Sequence, residues 1–275
     1  ITILNLVPEA PAQSAGLLPG DIIQSVNGDT TQGWSIIDTV LKIRGPKGTS
    51  VELGILRPST DKIYHVSIVR DVIEIRSLEW NMMEKNILYV KLRSFSETTD
   101  EDFIEVLEDS TTYNSPGLIL DLRNNSGGLL SSTINIASQF IEEGMVFYIL
   151  DSDNKKTEYP VNEDQDSNYF TKPIVVLTDE FSASASEVLA GALQDHQRAT
   201  IIGSSTFGKG SANLNVGLSD GSGIYFTIAR WHTPDGNIIE GKGLKPDVLV
   251  RDGTEDNIDD VLNAAKEYLL DKTYN

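Results

Sequence analysis

Leu120-Asp121-Leu122-Arg123-Asn124-Asn125-Ser126-Gly127-Gly128 reads as an apolar strand that runs into a glycine pair and then into a helix. The strand begins at Leu118, and helical spacing resumes over residues 129–141. A turn of this kind exposes unpaired backbone N–H groups at a helix N-terminus, which suits an oxyanion or another anion. It is equally the shape of an ordinary strand-to-helix connection. The same rhythm extends on both sides. Strand-like runs fall at 87–90, 118–122, 146–150, 174–177, 200–202 and 223–228, and helix-like runs at 99–108, 129–141 and 185–194. Alternation of this sort predicts a layered α/β core over residues 74–250. Residues 151–167 are polar and acidic and read as an exposed loop. Residues 257–270 read as a terminal helix with Ile258, Val261, Leu262 and Leu269 on its apolar side.

Residues 1–73 are of a different make. Residues 1–7 read as a strand, and residues 10–16 as a short helix ended by Gly16. Asn27-Gly28 is a strong hairpin signal. Residues 34–44 place Ile36, Ile37, Val40, Leu41 and Ile43 on a helical period, and Gly45-Pro46-Lys47-Gly48 stops the helix. Residues 51–56 and 63–69 alternate as strands.

Composition narrows the function. The 275 residues carry a net charge of −19, with 39% hydrophobic and 23% charged residues. That composition is globular, and so acidic a surface repels phosphate backbones, which argues against nucleic acid. The chain has no cysteine, so disulfides, thiolate metal sites and cysteine nucleophiles are excluded. Its three histidines, His65, His196 and His232, have no short ligand spacing, and no metal or other cofactor is expected. No apolar run approaches the roughly 18 residues that would span a membrane. The chain opens at Ile1 inside an apolar run, and is read as a fragment of a longer protein.

Two further segments carry chemistry. In Thr178-Asp179-Glu180-Phe181-Ser182-Ala183-Ser184-Ala185-Ser186-Glu187 a strand ends and small residues lead straight into a helix. Small neighbours let a backbone turn sharply and a substrate approach a serine, although a serine in this position also serves as an N-cap. On local grounds Ser182, Ser184 and Ser186 are all candidates. In Thr206-Phe207-Gly208-Lys209-Gly210-Ser211, Phe207 and the preceding strand suggest a loop folded on the core, with Lys209 in apolar surroundings. Such surroundings disfavour the charged form of a lysine and fit it for general-base work. The same stretch matches most of a phosphate-binding loop. That motif needs Ser or Thr after the lysine to ligate magnesium, and here Gly210 follows.

Ala15-Gly16-Leu17-Leu18-Pro19-Gly20-Asp21, Asn27-Gly28 and Arg44-Gly45-Pro46-Lys47-Gly48 resemble bacterial PDZ domains. That resemblance implies peptide binding by strand addition between residues 1–6 and 34–41, with Ile1, Ile3, Ile37 and Leu41 as contacts. The carboxylate-binding loop of such domains precedes this strand. The three chemical segments, in their order and after such a module, resemble the carboxyl-terminal processing (tail-specific) peptidases. So does Ile228-Ala229-Arg230-Trp231-His232-Thr233-Pro234-Asp235-Gly236, followed by Gly241-Lys242-Gly243-Leu244-Lys245-Pro246-Asp247.

The resemblance implies a small PDZ-like β domain (1–73) and a layered ββα crotonase-like peptidase core (74–275). It implies Ser184 as nucleophile, Lys209 as general base, and an oxyanion hole from the N–H groups of Gly128 and Ala185. It further implies polypeptide substrates with exposed C-termini, a possible oligomer, and a periplasmic, cell-envelope or extracellular setting. One position departs from the family. The glutamine that orients the lysine amine is replaced by Asn213, shorter by one methylene. Arg57, before Pro58 in a turn, is a candidate for sensing a substrate carboxylate or coupling the two domains, as against a merely solvated arginine. Two rival readings stand beside this one: a histidine-based triad, and a catalytically silent peptide-binding scaffold.

Overall fold

Strands buried on both faces of a sheet read as unbroken apolar runs. Leu118–Asp121 (LILD) and Ile174–Thr178 (IVVLT) are such runs, and every residue in both is buried. They lie side by side and parallel, with Val176 opposite Leu120, at the centre of a six-stranded sheet. The computed structural model describes residues 1–3, 6–7, 10–73, 76–162, 167–218, 222–251 and 259–274. Contacts divide the chain into two units, Ile1–Ile75 and Arg76–Asn275.

The first unit contains α1 (Pro11–Ser14), β1 (Ile22–Val26), β2 (Asp29–Thr30), α2 (Ile36–Ile43), β3 (Ser50–Arg57) and β4 (Lys62–Val69). Its antiparallel sheet runs β2-β1-β3-β4. Asn27 and Gly28 both have positive φ, 52° and 88°, as a two-residue hairpin turn between β1 and β2 requires. Ser35 begins α2 in a reciprocal capping box with Asp38. Leu17, Ile23, Val26, Val51, Leu53, Ile55 and Ile68 form a separate small core. Of the strand expected over residues 1–7, the described part makes one antiparallel bridge, Thr2 to Ile22. Residues 4 and 5 lie outside the described residues.

The second unit contains β5 (Leu78–Met82), β6 (Leu88–Leu92), α3 (Thr99–Glu108), β7 (Leu118–Asp121), α4 (Leu130–Ala137), β8 (Met145–Asp151), β9 (Lys156–Pro160), β10 (Ile174–Thr178), α5 (Ala185–Asp195), β11 (Thr200–Gly203), β12 (Ser211–Gly217), β13 (Gly223–His232), β14 (Val248–Leu249) and α6 (Asp260–Tyr274). The main sheet runs β14-β11-β10-β7-β6-β5, parallel except for β5. One face of it packs under α3, α4 and α5, with Phe103, Ile136, Phe140 and Leu189 in the core. The other face is covered by α6 through Val261, Ala265 and Leu269. A second, antiparallel sheet runs β12-β13-β8-β9.

The stretch 151–167, expected to be a loop, contains β9. Tyr159 explains it: its ring stacks on Phe147 with centroids 4.3 Å apart, which ties an otherwise acidic segment to the core.

Candidate active site

The three chemical segments leave the carboxyl ends of three neighbouring parallel strands, β7, β10 and β11, where open α/β sheets build their sites. Hydrogen bonds then draw them together. The buried Asn125 is the hub of the first two. Its carbonyl accepts from Ala183 N–H (3.0 Å) and from Ser186 Oγ (2.9 Å). Its side chain accepts from Gly127 N–H (2.9 Å) and donates to Leu92 O (3.0 Å). Gly127 has φ 102°, and a Cβ there would lie 2.8 Å from Ala183 O and 2.9 Å from Ser184 Cβ. The glycine lets the turn press directly on the serine.

The three candidate serines differ in what they do. Ser182 is buried; its Oγ donates to Leu122 O (2.9 Å) and accepts from Asp179 N–H (3.0 Å). Ser186 is buried and bonded to Asn125 O. Ser184 alone is only half-buried, and it stands at φ 56°, ψ −114° where α5 begins. A non-glycine residue in such a conformation costs on the order of 1–3 kcal/mol and must be held by its surroundings. A sharp, strained strand-to-helix turn is how the nucleophile elbows of hydrolases expose their serine.

Glu187 does much of the holding. Fully buried, its Oε2 accepts from Ser184 N–H (2.8 Å) and Lys209 N–H (2.9 Å). Its Oε1 accepts from Thr206 Oγ1 (2.6 Å) and Gly208 N–H (2.6 Å). One carboxylate therefore fixes the backbone of both the serine turn and the lysine loop. The sequence offered a signal for it. Glutamate three residues after a serine at a helix start is half of a capping box.

The lysine loop is clamped from its other side by the tail motif. Thr206 N–H donates to Leu244 O (3.1 Å), Leu244 N–H to Thr206 Oγ1 (2.7 Å), and Gly241 N–H to Gly208 O (2.9 Å). A Cβ on Gly208 would lie 2.9 Å from Gly243 N, and one on Gly210 would lie 2.1 Å from Glu240 N. Thr206, Gly208 and Gly210 are buried, while Phe207 and Lys209 are exposed. This alternation corrects the expectation of an apolar pocket for Lys209. The loop turns at Gly208 (φ 88°), and around that turn the small residues are buried while the two long side chains stay exposed.

Among the described residues, no hydrogen bond engages the N–H of Gly128 or of Ala185. Both lie where α4 and α5 begin. Asn213, expected on the lysine amine, is engaged elsewhere. Its Oδ1 accepts from Thr227 Oγ1 (2.7 Å) across the β12–β13 pair, and its Nδ2 donates to Ser211 Oγ (3.3 Å). A bulge between Ala212 and Asn213 accompanies this placement. The histidines are engaged as well. His196 Nε2 bonds to Met145 O (2.8 Å), His232 stacks on Tyr148, and His65 Nδ1 lies 3.3 Å from Glu52.

In the first unit, Ile3 helps line an apolar groove of about 430 Å³ with Leu6, Ile23, Ile43, Leu53 and Ile68. Ile1 is exposed, and its carbonyl accepts from Ile23 N–H (2.9 Å). Leu41 does not join the groove and is 68% exposed; the side chain of Ile37 lies outside the described residues. Arg57 is no solvated turn residue. It ends β3 and forms a two-pronged pair with the buried Asp21 (Nε–Oδ1 2.8 Å, Nη2–Oδ2 2.8 Å), and also donates to Gly16 O (2.9 Å). Its hydrogen bonds, opposed by burial, hold the Asp21 carboxyl below its ordinary range. Arg57 thus locks the turn between Gly16 and Asp21.

An α/β core with a strained serine turn packed on a glycine-pair turn and a pinned lysine loop is a hydrolase-type arrangement. The profile of Peptidase family S41 matches residues 86–250, and that of the PDZ domain matches residues 2–57. The chain belongs to peptidase family S41. It is 37% identical over 256 residues to a carboxy-terminal-processing protease of Bartonella bacilliformis, covering 91% of this chain and 58% of that protein. It is 36% identical over 248 residues to carboxy-terminal processing protease CtpA of Bacillus subtilis, covering 90% of this chain and 53% of that protein. This chain thus spans a little over half the length of these relatives. Among solved structures, the photosystem II D1 C-terminal processing protease matches with TM-score 0.63 and 32% identity, over 91% of this chain and 68% of that one.

Proposed function

We propose that this chain is the PDZ and catalytic portion of a serine endopeptidase that cleaves polypeptides near their C-termini by Ser–Lys acyl transfer. Lys209 takes the proton of Ser184 Oγ as that oxygen attacks the scissile carbonyl. The N–H groups of Gly128 and Ala185 receive the developing oxyanion. Protonated Lys209 then returns the proton to the leaving amine, and water resolves the acyl-enzyme with the same two groups. The observation that carries this reading is the Glu187 carboxylate, which binds the backbone of Ser184 and of Lys209 through one oxygen. The apolar groove beside Ile3 is the proposed seat for an apolar substrate tail, added as a strand. A periplasmic, envelope or extracellular setting is proposed with it, from the family resemblance.

Ser184→Ala tests the assignment. The small-for-small change leaves the fold intact and lowers turnover of an unfolded protein substrate by several orders of magnitude. Near-normal turnover would transfer the role to another group. One observation favours the rival reading of a silent scaffold: Asn213 bonds Thr227 and Ser211 in place of Lys209. Absence of turnover in the unaltered chain, with peptide binding retained, would decide for it.

A further inference from the structure

We infer that Asp259 is a positioning residue for catalysis: through Arg123 it makes docking of the terminal helix α6 fix the turn that carries Gly128 and braces Ser184. The inference rests on the Ser184 assignment above.

Arg123 stands where the chain leaves β7 for that turn, and it is gripped from both sides. Nε and Nη2 donate to Asp121 Oδ1 (3.0 Å) and Oδ2 (2.8 Å). Nη1 and Nη2 donate to Asp259 Oδ1 (2.8 Å) and Oδ2 (2.8 Å). Fork-to-fork pairs of this kind set direction as well as distance. Each fork added to a guanidinium narrows the positions open to it, and the Asp259 fork is the one that ties Arg123 to the start of α6. Asp121 itself is anchored. It ends β7 fully buried, and its carboxylate also accepts from Arg123 N–H (2.9 Å) and Tyr89 Oη (2.7 Å), with Lys91 Nζ at 3.6 Å. Burial pushes the Asp121 carboxyl up, but Arg123, Lys91 and Tyr89 outweigh it and hold the group ionised below its ordinary range.

Asp259 performs a second task with the same carboxylate. Its Oδ1 accepts from Leu262 N–H (2.8 Å), the cap of α6, and its carbonyl accepts from Asn263 N–H (3.0 Å). Helix α6 covers the sheet face opposite α4 and α5, by packing on β10 and β11. Starting the helix and aligning Arg123 are thus one event. From Arg123 the path to the site is short. Asn124 N–H is held by the Asp179 carboxylate (3.0 Å), which also takes Ser182 N–H (2.9 Å). Asn125 then binds Ala183 and Ser186 on either side of the nucleophile. A shift of the guanidinium moves a turn that is bonded to both flanks of Ser184. Misplacement by about 1 Å can cost on the order of 100-fold in rate.

The test uses Asp259→Ser, which keeps an N-cap side chain for α6 but removes the fork to Arg123. The expected result is a fall in kcat of about tenfold or more with KM within about twofold. Phosphonylation of Ser184 by a small fluorophosphonate should slow in parallel, because it needs the oxyanion site and no polypeptide contacts. Asp259→Glu, which can still reach Arg123, should restore both rates. If Asp259→Ser fails to fold, Arg123→Lys, which keeps charge but loses the fork, carries the same two measurements. Wild-type kcat and phosphonylation in the serine variant would overturn the inference. So would a loss matching only the fraction of protein unfolded in a thermal melt. Ser184→Ala, run alongside, separates the two levels: if it keeps turnover, the nucleophile assignment fails and this inference with it.

Discussion

Ser184 and Lys209 hang from the same carboxylate, yet they are prepared in opposite ways. The serine is held as far as its Cβ. Its neighbours Ala183 and Ser186 are bonded to Asn125, Gly127 presses on its Cβ, and its own N–H is bound by Glu187. The lysine is rigid only to its backbone. Its N–H is bound by Glu187, while the side chain is exposed beside Phe207. A free lysine side chain carries about 2 kcal/mol of rotamer entropy that must be lost when it is directed. The contrast teaches that the proposed nucleophile is organised by the fold, whereas the proposed base is held by the fold at its backbone and is aimed by something further. A bound polypeptide that covers the exposed face would both aim the amine and strip its water.

The largest break in this comparison is removal of the proposed base. Lys209→Ala should lower kcat by several orders of magnitude, close to the loss in Ser184→Ala, because the two act as a unit. Lys209→Arg should be as inactive, since a guanidinium does not give up its proton. Steady-state turnover of an unfolded substrate checks both. An arginine variant with normal activity would remove the general-base role. Since the backbone of the loop is held by Thr206, Gly208 and the tail motif, neither change should alter folding measurably.

A smaller effect is expected where the two halves join. Glu187→Gln keeps shape but turns one acceptor oxygen into an NH₂ group that faces two N–H or O–H donors. Leaving buried donors unmatched costs about 1–3 kcal/mol of stability. The amide has two orientations, and each loses a different pair. With NH₂ towards Ser184 and Lys209, both catalytic loops loosen; with NH₂ towards Thr206 and Gly208, the lysine loop loosens. Either way kcat should fall by about ten- to a hundredfold with little change in KM. A variant that melts earlier but turns over normally once folded would show that Glu187 supports the fold and not the geometry of catalysis.

Much of this site was legible because its motifs are local. Small residues around Ser184, glycines around Lys209 and the Gly127-Gly128 pair each state a backbone requirement in one short stretch. Asn27-Gly28 did the same for the hairpin of the first unit. What escaped the sequence is of two kinds. Phe207 suggests burial by its type, yet it stands exposed beside Lys209, because the loop turns at Gly208 (φ 88°) and buries its small residues instead. Arg123 and Asp259 belong to the other kind. They are 136 positions apart, and no period or spacing joins a strand end to the first turn of a terminal helix. Arg57 and Asp21 likewise meet only once β3 is folded beside the turn that follows α1.

The smallest effect concerns Asn213, and it sharpens the comparison most. If the lysine is aimed by substrate alone, the Asn213 amide is a member of the β12–β13 pair and nothing more. Its Oδ1 is occupied by Thr227 Oγ1 at 2.7 Å. Asn213→Ala should then change kcat by no more than about threefold, since one exposed hydrogen bond within a hairpin contributes about 0.5–1.5 kcal/mol, and to stability rather than rate. Asn213→Gln reaches roughly 1.5 Å further, one carbon–carbon bond. If the amine of Lys209 lacks an orienting partner in the resting enzyme, the longer amide can supply one, and kcat should rise by a few-fold. Thr227→Val provides the internal check, because it frees the asparagine oxygen without lengthening the side chain. A rise with glutamine and none with Thr227→Val would mean that reach, not competition, limits the contact. A hundredfold loss in Asn213→Ala would reverse the argument. The asparagine would then leave Thr227 for Lys209 during turnover, and the base would be aimed by the fold after all.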